Sequence, residues 1–205
     1  FDLSSSTYTY LLADEQSREA VIIDPVIDQL ERDVQLIEEL GLKLLYVLDT
    51  HVHADHVTAA GRLRERTGAP TAASATGAPC VDRRLVDGDR IAIGGVTLEV
   101  LATPGHTDDS LSFRGPGVVF TGDTLLIRGC GRADFQNGDP AALHDSITRR
   151  LFTLPDDTVV YPGHDYQGRT VSTIGEERRC NPRLAGRTRG EFIALMNALG
   201  LPPPR

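Results

Sequence analysis

The stretch of the chain most suited to chemistry is DTHVHADH, residues 49–56, where His51, His53, Asp55 and His56 fall within six positions. Imidazole and carboxylate ligands at this density suit zinc, iron or manganese, whereas structural zinc prefers thiolate-rich sets. Packed imidazoles and a carboxylate repel one another or stay unsatisfied unless a cation holds them together. His106 in TPGHTDD, Asp123 in GVVFTGD and His164 in VVYPGHD extend the set. Alone, each would read as a cap, turn or core residue. Beside a metal-binding loop, each becomes a partner. The remaining histidine, His144, is expected on the surface of a helix. This ligand list fits two metal ions performing hydrolysis, or one ion doing something else, and does not choose between them.

The elements that must position these residues alternate between strand and helix. TYTYLLA and AVIID read as strands joined by the polar turn DEQSRE. In DQLERDVQLIEELG, Leu30, Val34, Ile37 and Leu40 fall at helical spacing, Asp28 and Glu31 form a capping-box pattern, and Gly41 can end the helix. LLYVL is a continuous apolar run, a strand covered on both faces, and the histidine cluster follows it at once. AAGRLRERTG reads as a helix, VTLEVL and GVVFTGD as strands, and TVVYPGHD as another strand. DPAALHDSITRRLFTL is expected to be a helix with Pro140 in its first turn and Leu143, Ile147 and Leu151 on one face. TRGEFIALMNALG closes the chain as a helix, with Thr188 and Glu191 as a capping box and Phe192, Leu195, Met196 and Leu199 on one face; PPPR is a tail. Four apolar strands thus end in loops carrying His or Asp, which is where α/β proteins place chemistry.

The 205 residues suffice for one core, and a single domain over 1–205 is expected. The net charge of −8 disfavours nucleic acid as a partner, because phosphate binding needs a basic face. No apolar run is long enough to span a membrane. FDLSSSTYTYLLADEQ lacks the basic start of a signal or transit peptide, and a few residues before Phe1 are expected to be missing. Cys80, Cys130 and Cys180 are far apart and form no CxxC pair, so a reducing cytosol fits best, and Cys80 and Cys180 are expected to be buried or half-buried. The abundance of Arg, Ala and Gly suits a GC-rich bacterium, giving a cytoplasmic, bacterial expectation.

THVHADH, PGHT, TGD and GHD together resemble, in order, the ligand motifs of the metallo-β-lactamase superfamily, through most of the chain. The resemblance implies an α/β protein built as a four-layer αββα sandwich, with the metal site at one edge between two sheets. The common zinc β-lactamases are disfavoured, because they carry a cysteine where this chain has Asp123 and lack the DH ending of the first motif. A nuclease is disfavoured by charge and by the absence of a large inserted domain. A closed structural metal site fits poorly with so many hard ligands on separate loops.

Two glutathione-linked readings remain. The first is a glyoxalase II-like hydrolase, in which a hydroxide bridging two metals attacks a glutathione thioester. The second rests on LLIRGCGRADFQNGD, LFTLPDDTVVYPGHDYQGRTVSTIGEERRCNPRL and EFIALMNALGLPPPR, which resemble the mitochondrial and bacterial persulfide dioxygenases nearly without gaps. That resemblance implies oxidation of glutathione persulfide by O2 and water to sulfite and glutathione, in sulfide detoxification. It implies one Fe(II) per chain held by His51, His106 and Asp123, the two-His-one-carboxylate set of non-haem oxygenases. His53, Asp55, His56 and His164 would then orient those ligands and contact iron-bound water or substrate. By the same resemblance Arg132 and Tyr166 lie by the substrate. A guanidinium can hold a glutathione carboxylate bidentately. Gly129 and Gly131 beside Arg132 suggest a close backbone approach or positive φ. Asp165 is expected to brace its loop, and Cys130, with no local base, to pack in the loop wall. A homodimer and a functional link to a rhodanese are further expectations of the family.

Overall fold

The computed structural model describes residues 1–201; the tail Pro202–Arg205 lies outside the described residues. Its elements in chain order are β1 (Tyr10–Ala13), β2 (Glu19–Ile23), α1 (Leu30–Glu39), β3 (Lys43–Leu48), α2 (Ala60–Thr67), β4 (Thr71–Ser74), β5 (Arg83–Leu85), β6 (Arg90–Ile93), β7 (Val96–Ala102), β8 (Leu111–Gly115), β9 (Val118–Gly122), α3 (Pro140–Arg149), β10 (Val159–Pro162), β11 (Ser172–Thr173), α4 (Ile174–Cys180) and α5 (Arg189–Asn197). One sheet runs β1-β2-β3-β4-β5 and the other β11-β10-β9-β8-β7-β6. From β2 to β5 the neighbours are parallel, as are β9 and β10; the remaining pairs are antiparallel.

Alternation along each strand divides the apolar side chains among three cores. In β2, Val21 and Ile23 face the space between the sheets, where they meet Leu48, Leu98, Val100, Phe113 and Phe120. Ala20 and Ile22 face the other way, onto Val34 and Ile37 of α1 and Leu63 of α2. In the second sheet Val119 and Val160 meet Leu143, Ile147, Ile174, Phe192 and Met196. The order is therefore helix, sheet, sheet, helix, as the family resemblance implied. Strands covered on both faces must be apolar throughout. Each such side chain taken from water contributes about 1.5–3 kcal/mol.

Local signals account for most helix ends. Asp139 caps α3 by accepting from Ala141 and Ala142, with Pro140 in the first turn. Thr188 and Glu191 form the expected capping box of α5, and Gly68 ends α2 in the left-handed region. The Asp28–Glu31 box does not form. Ile27–Gln29 is a 3-10 turn, Gln29 stands at the cap without a side-chain bond, and Leu40 falls past the last turn and is exposed. The helix expected through Leu154 stops at Arg149 and tightens into a 3-10 turn at Leu151–Thr153. β1 starts at Tyr10 rather than Thr7, because Thr7 is engaged by His164. His144 is half-buried, its ring packed on Phe192 with centroids 5.4 Å apart. Cys80 and Cys180 are exposed, contrary to the expectation, and Cys130 is buried.

Candidate metal centre

Both sheets deliver side chains to one edge of the sandwich. The loop after β3 brings His51, His53, Asp55 and His56; the segments after β7, β9 and β10 bring His106, Asp123 and His164. The loops are tied across the sheets, for Leu111 N–H donates to Thr50 O at 2.7 Å and Val52 N–H to Oδ2 of Asp109 at 2.9 Å. Glycines permit the close approach. A Cβ on Gly163 would lie 2.8 Å from Oδ1 of Asp123, and one on Gly131 would lie 2.7 Å from Nδ1 of His106. Gly129 has neither a close neighbour nor a positive φ; Arg128 (φ 60°) is the left-handed residue of that loop.

His51, His106 and Asp123 each offer a ligand atom, and these atoms lie within 4.8 Å of one another. Hydrogen bonds show which atoms are free to bind a cation. Thr50 gives its hydroxyl proton to Oδ2 of Asp24 (2.8 Å), so the 2.9 Å contact between Thr50 Oγ1 and His51 Nδ1 has imidazole as donor. His106 Nδ1–H donates to the Arg132 carbonyl at 2.7 Å. Both rings therefore carry a proton on Nδ1 and present Nε2 as the ligand atom. Burial first, then the neighbouring His53 and His106 rings, hold His51 well below the usual imidazole range, so it stays neutral. Asp123 accepts from His164 through Oδ1 at 2.6 Å, and its Oδ2 lies 3.6 Å from His106 Nε2. Burial opposes ionisation of Asp123, but the imidazoles of His164, His106 and His51 outweigh it and hold the carboxyl below its usual range. Two imidazoles and one carboxylate are a donor set that fits Fe(II).

The other four predicted site residues stand around this set in a chain. His164 donates Nδ1–H to Asp123 and Nε2–H to Oδ2 of Asp55 at 2.9 Å, and His56 donates Nδ1–H to the same oxygen at 2.8 Å. Burial works against a charge on His164, yet the two carboxylates raise it to about 10. His53 lies against His51 with ring centroids 4.1 Å apart, and its Nε2 is turned to Oδ1 of Asp24 at 3.2 Å. Burial lowers its affinity for a proton, but Asp24 and Asp49 reverse this, to about 8. His53, Asp55 and His56 form a second group with metal-ligand spacing, and Nδ1 of His53 and Nε2 of His56 are buried without a hydrogen-bond partner. A third such group is Asp24, Asp49 and His53.

A cavity of about 620 Å³ opens onto His106, Asp123, Asp55 and His164. Arg132 and Tyr166 both line it. Arg132 contributes its carbonyl to His106, while its guanidinium grips Asp134 through Nε at 2.7 Å and Nη2 at 2.9 Å. Tyr166 is 73% exposed and stacks parallel to His164, centroids 6.2 Å apart. Asp165 braces the loop as expected, accepting from the N–H groups of Gln167 and Arg169. Cys130 forms part of the cavity wall, with burial first raising its thiol above the ordinary range.

Asp24, Thr50 and Thr7 join the candidate site although no motif of the sequence marks them as ligands. Thr7 Oγ1 lies 3.0 Å from His164 Nε2. Asp24 had a legible signal: like Asp49 and Asp123, it ends an apolar strand. The two threonines had none.

A family model described as "Metallo-beta-lactamase superfamily" matches residues 5–164. The chain is 49% identical over 208 residues to the mitochondrial persulfide dioxygenase ETHE1 of Homo sapiens, spanning 100% of this chain and 82% of that protein. The crystal structure of ETHE1 from Myxococcus xanthus superposes with a TM-score of 0.98 at 59% identity, over 100% of this chain and 91% of that one. Hydroxyacylglutathione hydrolase GloC of Haemophilus influenzae is 37% identical over 194 residues, 83% of this chain and 89% of that protein.

Proposed function

The chain belongs to the metallo-beta-lactamase superfamily and, within it, to the persulfide dioxygenases, and from that membership we propose that it oxidises glutathione persulfide with O2 and water to sulfite and glutathione. The observation that carries the site is the convergence of His51, His106 and Asp123 while His53 is turned away to Asp24. These three would hold one Fe(II) per chain. When bound, iron supplies redox chemistry toward dioxygen that zinc lacks, together with a place for the sulfur anion.

The protein's own part is positional. Thr50 and the Arg132 carbonyl fix the tautomers of His51 and His106, so both present Nε2. His164 occupies one oxygen of Asp123 and leaves the other for the metal. The doubly bonded His164 places a positive charge between Asp55 and Asp123, where a second cation would otherwise gather both carboxylates. The cavity would take the organic body of the persulfide, with Arg132 and Tyr166 beside it. Its terminal sulfur would thus be held beside the triad, so that both reactants meet in one place.

One observation favours a second reading. The partnerless Nδ1 of His53 and Nε2 of His56 are atoms that a further metal ion could engage, as in a two-metal hydrolase of glutathione thioesters. The test compares the two substrates. Iron-loaded protein given glutathione persulfide in air forms sulfite and leaves a glutathione thioester intact. Thioester hydrolysis without sulfite would overturn the proposal.

A further inference from the structure

Four arginines line the cavity, and they are not equivalent. Arg128 pairs with Glu176 and Glu177. Arg132 spends its fork on Asp134. Arg183 donates Nη1 to the Cys130 carbonyl at 2.6 Å and faces the sulfur atoms of Cys130 and Met196.

Arg169 stands apart because of how it is mounted. Its N–H donates to Oδ2 of Asp165 at 2.7 Å, and its carbonyl accepts from the Tyr8 hydroxyl at 2.9 Å. Gly168, at φ 78°, turns the chain just before it. The guanidinium is steadied by neutral acceptors: Nη1 donates to Ile127 O at 3.2 Å and Nη2 to Gln167 Oε1 at 2.6 Å. Among the described residues no carboxylate pairs with its side chain. The cation is half-buried, fixed at its base and on the wall of the cavity. Tyr166, three residues earlier, lies on the same braced turn.

A half-buried cation without a countercharge is costly unless an anion completes it. Because backbone and side chain are already held, little ordering cost remains for that anion to offset. The planar fork matches a carboxylate. We infer that Arg169 is a binding residue for a carboxylate of the persulfide's organic body, so that the enzyme selects persulfides bearing an acid group remote from the sulfur. This rests on the substrate reading above and assigns its recognition to a residue of the DYQGR turn.

The test is calorimetric titration of glutathione, the product, into the iron-loaded protein under nitrogen. Glutathione diethyl ester, whose carboxylates are masked, serves as the second ligand. Charge-assisted bidentate pairing predicts that Arg169→Gln weakens glutathione binding about 10-fold or more, that Arg169→Lys, which keeps the charge but not the fork, recovers only part of it, and that the diester binds wild type and Arg169→Gln alike. Wild type alone must prefer glutathione to the diester by a similar factor, which keeps the test valid if a variant fails to fold. Equal affinities of wild type for the two ligands, or a loss in Arg169→Gln shared by both, would overturn the inference. Oxygen uptake by wild type with glutathione persulfide, run alongside, separates the outcomes. Its absence defeats the dioxygenase reading, while the ligand comparison still decides the role of Arg169.

Discussion

His164 donates Nδ1–H to Oδ1 of Asp123 at 2.6 Å, and its other nitrogen is committed to Asp55. One proton-bearing ring thereby fixes a proposed metal ligand and separates two carboxylates. His164→Gln keeps a donor but loses the charge. Partners behind metal ligands typically account for 10–100-fold in affinity or activity. Sulfite formation should fall by about that factor in His164→Gln, with the protein still folded. Unchanged activity would show that the ring does not position Asp123.

Asp24 acts at one remove. Its carboxylate accepts from Thr50 N–H at 2.7 Å, from the Thr50 hydroxyl at 2.8 Å and from His53 Nε2 at 3.2 Å. Asp24→Asn disturbs the relay that fixes the His51 tautomer and releases His53. Competition with a ferrous chelator should show iron held about 10–100-fold more weakly. Iron affinity equal to wild type would contradict the relay.

Glu177 is fully buried, yet it accepts from Arg128 N–H (2.8 Å), Arg128 Nη1, Ser172 Oγ (2.7 Å) and Asn181 Nδ2 (2.9 Å). It anchors the loop that carries Cys130 and Arg132. Its removal leaves the buried Ser172 and Asn181 donors without that acceptor, each at a cost of about 1–3 kcal/mol, while Arg128 is part-exposed and keeps Glu176. Urea unfolding of Glu177→Ala should show a loss of about that size, and a loss under about 1 kcal/mol would contradict the assignment.

The cysteines should separate by reactivity. Burial raises the Cys130 thiol, so at pH 8 it holds less thiolate than an ordinary cysteine, and its share grows only as pH climbs further. Cys80 and Cys180 are exposed. Iodoacetamide at pH 8 should label those two first and leave Cys130 unmodified in the folded protein, as peptide mass mapping would show. Early labelling of Cys130 would contradict its burial.

Much of this was legible in the chain. Apolar runs ending in Asp49, Asp123 and His164 pointed to both the strands and the site, because a short apolar run closed by a polar turn is too brief for a buried helix and reads as a strand covered on both faces. The four-layer arrangement was not in the periodicity; it came from motif order. β4, TAAS, and β5, RRL, escaped notice because small and charged residues carry no strand pattern, and neighbouring strands confer their structure. The Asp28–Glu31 pattern failed because a 3-10 turn precedes the helix. The histidines were evident, but which nitrogen each presents was not. That depends on Thr50, Asp24 and the Arg132 carbonyl, which meet only once both sheets are assembled.

Oxygen uptake at an electrode, with glutathione persulfide added to protein loaded anaerobically with Fe(II) or with Zn(II), decides whether the centre works as an iron dioxygenase. The iron form should take up oxygen rapidly, matched by sulfite, and the zinc form should take up none. An iron form that consumes no oxygen, or a zinc form as active as the iron form, would contradict the dioxygenase reading.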